Sequence, residues 1–83
     1  MTGEPPARLI LYVREGCHLC EQFMLELSLD LGPDMERLHV QDVDRDADLA
    51  VRFGLRVPVL ELDGAVISEG VYDGAGVRGA LGL

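Results

Sequence analysis

Two thiols stand three positions apart in Gly16-Cys17-His18-Leu19-Cys20, and they are the only cysteines in a chain of 83 residues. At the start of a helix that spacing puts both sulfurs on one face, within reach of a disulfide that can open and close. A bridge closing so short a loop removes little entropy from the unfolded chain, so the pair reads as redox chemistry and not as a structural staple. Only a thiolate attacks a disulfide, so the thiol that loses its proton more readily is the nucleophile. Cys17 is that candidate, because a sulfur at the first turn faces unsatisfied backbone N–H groups and the positive end of the helix dipole. Arg14 pushes the same way, while Glu15 and Glu21 oppose it. Cys20, one turn further on, is placed to attack a mixed disulfide on Cys17 and release the reduced substrate.

The elements that must hold this pair are legible on either side of it. Arg8 to Val13 is a short apolar run that reads as a buried strand, and Cys17 to Leu31 reads as a helix with Leu19, Phe23, Met24, Leu27 and Leu31 as its apolar face. Gly32-Pro33 closes that helix. Arg37 to Val43 predicts a second strand with Leu38 and Val40 inward and His39 and Gln41 outward. Asp44 or Asp46 is the expected N-cap of a short helix over Ala47 to Phe53, and Gly54 is expected in the left-handed conformation after it. Strands over Pro58 to Leu62 and Ala65 to Ser68 meet across Asp63-Gly64, a two-residue hairpin turn. The tail from Asp73 closes the core as a last helix, although Gly74, Gly76, Gly79 and Gly82 each cost about 1 kcal/mol relative to alanine in a helix interior. The order is β-α-β-α-β-β-α, an α/β domain with a four-stranded mixed sheet and three helices, spanning 8–83 after a flexible arm over 1–7.

Fifteen acids against seven arginines, with no lysine, set a formal net charge of -8. Such a surface repels phosphate backbones and anionic lipid, so nucleic acid and membranes are not expected partners. Met1 to Ala7 lacks a basic start, and nothing reaches membrane-spanning length, so the expected location is the cytoplasm. Metal sites are not expected: zinc wants four ligands, and beyond Cys17, His18 and Cys20 only His39 is available. Asp42, Asp44 and Asp46 begin like a calcium loop, but Ala47 and Phe53 stand where that loop needs glycine and glutamate.

The segment from Gln41 to Leu60, in which a strand, a short helix and Val57-Pro58 follow in order, resembles the middle of thioredoxin-superfamily domains. Together with Cys17-His18-Leu19-Cys20 it makes the chain from Arg8 onward similar to a small bacterial glutaredoxin-like protein. The resemblance implies a thioredoxin-like fold of glutaredoxin type and a cis Val57-Pro58 bond beside Cys17. It also implies that Pro58 shapes a substrate groove in which the Val57 backbone pairs with substrate like an added strand. Arg14 falls where the family carries a basic residue for a glutathione carboxylate, and Gly70 and Asp73 fall in its glycine-rich segment. The proline and tyrosine usual between the cysteines are His18 and Leu19 here, and Glu69 brings a negative charge to the glycine-rich segment. The implied activity is thiol–disulfide exchange on protein or glutathione mixed disulfides, by a monomer with no tightly bound cofactor and with glutathione as a co-substrate. Two alternatives stand beside it: a homodimer holding an iron–sulfur cluster through Cys17 and glutathione, and an interaction domain with little redox turnover.

Overall fold

The structure is a computed structural model and describes residues 8–83; the arm expected over 1–7 lies outside the described residues. Strand β1 (Leu9–Val13) is central, because its side chains are apolar on both faces and both faces are covered. Leu9, Leu11 and Val13 point into one core, and Ile10 and Tyr12 into a second core on the other face. β1 pairs in parallel with β2 (Leu38–Asp42) and antiparallel with β3 (Val59–Leu62), which pairs antiparallel with β4 (Ala65–Glu69), giving the order β2-β1-β3-β4. The β3–β4 turn is the expected one, with Asp63 at φ 50° and Gly64 at φ 87°, the pair of positive angles that matches strand twist in a tight hairpin.

Helices α1 (His18–Leu31) and α3 (Gly74–Leu81) supply the larger core, in which Phe23, Leu27, Leu31 and Val77 pack on Leu9, Leu11 and Leu60. Helix α2 (Ala47–Phe53) covers the opposite face, where Phe53 joins Tyr12, Val43 and Val59. The buried stripe of α1 runs through Cys20, Phe23, Leu27 and Leu31. Leu19, expected on the apolar face, is 46% exposed; the stripe reaches the first turn through Cys20 instead, a quarter of a helical turn away. Val40, expected inward, is 45% exposed. It stands level with the fully buried Leu11, but on the edge strand, where it has a neighbouring strand on one side only.

Asp46 caps α2, its carboxylate accepting from the N–H groups of Asp48 at 2.9 Å and Leu49 at 3.3 Å. Asp46→Ala should therefore cost about 1 kcal/mol of unfolding free energy, read as a lower urea midpoint at unchanged slope. Gly54 departs from expectation: its backbone is right-handed, φ -54° and ψ -34°. What the position requires is room, since a Cβ there would run into the Ala50 carbonyl oxygen and stand 3.0 Å from the Arg14 guanidinium.

The glycine-rich tail becomes helical because tertiary contacts outweigh its poor propensity. The Asp73 carboxylate caps it by accepting from Gly76 N–H at 3.0 Å, and Val77 is wholly buried. Arg78 and the Tyr72 hydroxyl both donate to the Asp30 carboxylate of α1, at 3.1 Å and 2.6 Å. The Tyr72 hydroxyl first, and then Arg78, hold the Asp30 carboxyl below the usual carboxylate range. A carboxyl whose pKa is depressed on folding adds stability above its unfolded value, near 3.9, and loses it as pH falls through the folded value. Asp30→Asn should thus unfold at a lower temperature than the parent near neutral pH, and the gap should narrow as pH falls through and below the ordinary carboxylate range in a thermal-melt series.

Candidate functional site

The sheet register brings the sequence-assigned residues to one end of the molecule. Tyr12 is level with Val59, so the turn after β1 that carries Arg14 and Cys17 passes the start of β3, where Val57-Pro58 lies. At the same end β4 finishes, with Val59 paired to Glu69 and Gly70 N–H donating to the Pro58 carbonyl at 2.8 Å. β2 also finishes there, Asp42 being level with Val13. The Val57-Pro58 peptide is cis. Pro58 is buried, whereas Val57 and Gly70 are half-buried, with Gly70 at φ 71°.

Cys17 and Cys20 are joined as a disulfide, with Cα atoms 5.2 Å apart. Cys17 is the N-cap of α1, in extended conformation, and its Sγ accepts from the Cys20 N–H at 3.1 Å. The two sulfurs differ in access: Cys17 is half-buried, while Cys20 is 4% exposed and belongs to the packed stripe of the helix. The same N–H and the open first turn of α1 are positioned to stabilise negative charge on Cys17 once the bridge is reduced. His18 and His39 are both exposed.

The turn borders a groove of about 480 Å³, lined by Val13, Met24 and Leu25, with Glu15, Cys17 and Glu21 on the same lining. Arg14 also lines it, but its guanidinium is engaged. Nε and Nη2 donate to the two oxygens of Asp44 at 3.0 and 2.9 Å, and Nη1 donates to the Gly54 carbonyl at 2.8 Å. The hydrogen bonds from Arg14 hold the Asp44 carboxyl below its ordinary range. A second fork lies beside the cis bond, where Arg56 donates to both oxygens of Glu69 at 2.9 and 2.8 Å. Its hydrogen bonds likewise depress the Glu69 carboxyl.

Three features, two at this end and one further along the sheet, were not anticipated from the sequence. Asp44 holds Arg14, Glu69 holds Arg56, and Glu61 on β3 is a buried acid, 6% exposed, whose Oε1 accepts from the Tyr12 hydroxyl at 3.0 Å. The one usable signal for Glu61 was its place inside the apolar run Val59-Leu60-Glu61-Leu62. Residues paired across 30 positions, as Arg14 and Asp44 are, leave no local trace.

A four-stranded mixed sheet, three helices and a Cys-x-x-Cys pair at the head of α1 define a thioredoxin-fold protein of redox type. The chain belongs to the glutaredoxin-like domain family (DUF836), whose match runs over residues 8–81. Among solved structures it is similar to protein Ne2328 from Nitrosomonas europaea, determined in solution by NMR. That likeness has 28% identity and a TM-score of 0.77, and covers 93% of each chain. It is also similar to protein XcR50 from X. campestris, solved by X-ray diffraction, at 32% identity and a TM-score of 0.70 over 89% of this chain and 95% of that one. A comparison with curated proteins found no match. No helix among the described residues is long and apolar enough to cross a membrane.

Proposed function

We propose that the chain is a thiol–disulfide oxidoreductase that reduces protein or glutathione mixed disulfides in the cytoplasm, with Cys17 as nucleophile and Cys20 as resolving thiol. The observation that carries this reading is the asymmetry of the pair: a half-buried Cys17 at the helix start, its sulfur accepting from the Cys20 N–H, with Cys20 buried behind it. The Cys17 thiolate attacks one sulfur of the substrate disulfide; a Cys17–substrate bond forms, and the other sulfur leaves as a thiolate that takes a proton from water. The Cys20 thiolate then attacks Cys17 Sγ, closing the internal disulfide and expelling the second substrate sulfur. Two electrons pass from the protein dithiol to the substrate, and a thiol reductant from outside resets the pair. Substrate backbone would lie along Val57-Pro58 and Gly70, where the Val57 N–H already donates to the Phe53 carbonyl and the Gly70 N–H to the Pro58 carbonyl, so the Val57 carbonyl is the group it would pair with.

A single-turnover experiment tests this. Protein reduced in advance and freed of reductant should convert one substrate disulfide per chain, and mass spectrometry should then find its own Cys17–Cys20 bridge restored. A protein that stays in the dithiol form beside an excess of mixed disulfide would not be an oxidoreductase.

A further inference from the structure

The electrostatics of the dithiol end narrow the substrate class. The arginines at the β1 turn and beside the cis bond are both spent on internal carboxylates, Arg14 on Asp44 and Arg56 on Glu69, each through two parallel hydrogen bonds. Forks of this kind are the strong form of the charge-assisted bond, and at Arg14, where all three guanidinium nitrogens are engaged, an incoming carboxylate would have to displace a partner. The titratable groups left on the groove beside Cys17 are Glu15 and Glu21, both exposed, in a chain of net charge -8. The remaining wall is apolar, and Leu25 on it is 68% exposed. On the other flank of the helix start a smaller recess presents Leu19, 46% exposed, and Val71, 77% exposed, next to Gly70. Uncovered apolar side chains on both sides of a reactive pair suit a partner that brings apolar side chains of its own.

We propose that the substrate of this site is a protein disulfide flanked by an apolar residue and a lysine or arginine, and that glutathione mixed disulfides are its poor substrates. The inference rests on the oxidoreductase reading and specifies what that site takes. The apolar flanking residue enters the groove against Val13, Met24 and Leu25, and the cationic one meets Glu15 and Glu21. Glutathione, a tripeptide whose two carboxylates outweigh its one ammonium, brings net negative charge to a groove with two carboxylates and to two arginines already occupied.

The test is the single-turnover rate of the reduced protein on a set of short peptide disulfides with leucine and, beside it, lysine, glutamine or glutamate, together with a glutathione mixed disulfide. At low salt the lysine peptide should react at least about tenfold faster than the glutamate peptide, with glutamine between them, and the spread should shrink with added salt. Glu15→Gln combined with Glu21→Gln should flatten the series. Asp34→Asn combined with Glu36→Gln makes the same charge change beyond the far end of α1, about 21 Å along the helix, and should leave it intact. Releasing the arginines by Asp44→Asn and Glu69→Gln should speed the glutathione substrate roughly threefold or more, with circular dichroism checking the fold. Equal rates across the peptides, a glutathione substrate faster than the lysine peptide, or equal flattening by the near and distant pairs would overturn the proposal while leaving the oxidoreductase reading in place. Failure to reduce any disulfide overturns that reading and this inference with it.

Discussion

Cys17→Ser is expected to abolish disulfide reduction, with a loss of more than about 10³-fold, because removing the nucleophile of a two-step exchange leaves no group to open the substrate bond. Cys20→Ser should behave differently. Its Cys17 can still attack, but nothing resolves the product, so a mixed disulfide with substrate should accumulate to one per chain and show as a mass increase that thiol reductant removes. The structure makes the two substitutions separable, since Cys17 caps α1 from its edge while Cys20 is buried among the apolar residues of the helix. Serine at position 20 puts a hydroxyl into that packing and should also lower stability, by about 1–3 kcal/mol if the hydroxyl goes unbonded; a thermal melt distinguishes this from the chemical effect. Equal turnover by Cys17→Ser and the parent would remove the assignment of the nucleophile, and turnover by Cys20→Ser without trapped intermediate would remove the resolving role.

What could be read from the chain follows a physical division. Features set by near neighbours were legible: the apolar strand and amphipathic helix around the cysteines, the Asp63-Gly64 turn, the cap at Asp46 and the stop at Gly32-Pro33, which all depend on residues within a turn or two of one another. Features set by what the fold brings together were not. The spacing of Leu19, Phe23 and Leu27 suits a buried stripe, yet Leu19 lies outside it because the core begins at Cys20. Arg14 could be seen as a cation before the dithiol, but not that the turn after β2 would deliver Asp44 to its guanidinium. Glu69 could be seen as a charge in the glycine-rich segment, and the structure adds its fork to Arg56. Gly54 marked the end of α2 for a reason of space and not of left-handed backbone. The cysteines are thus recognisable from local pattern, while the charge that surrounds them is a tertiary property, and it is the charge that bears on substrate choice.

Phe53→Ala should be among the most costly single substitutions for stability, at about 3–5 kcal/mol. The core on the α2 face has four buried residues, Tyr12, Val43, Phe53 and Val59, so removing the ring takes out a large share of what holds that helix down. The ring is 1% exposed and stacks on Tyr12 with centroids 4.6 Å apart, and Arg52 and Arg56 lie over it at 4.7 and 5.3 Å. Tyr12 in turn donates to the buried Glu61, whose other oxygen is 3.9 Å from Arg52, so the loss of the ring also loosens a polar pair that burial makes expensive to disturb. A small domain with a total of about 5–15 kcal/mol has little margin for that. The chain continues from Phe53 into Gly54, whose carbonyl accepts from Arg14, and then to Arg56 and Val57-Pro58. Slackening the end of α2 should therefore lower exchange activity even in the fraction that remains folded. Val51→Ala on the same helix, at a residue 87% exposed, should change stability by less than about 0.5 kcal/mol. Urea denaturation of the two variants decides the matter: if Phe53→Ala unfolds at the same midpoint as Val51→Ala, α2 is not anchored through the aromatic stack, and the coupling from this core to the dithiol end falls with it.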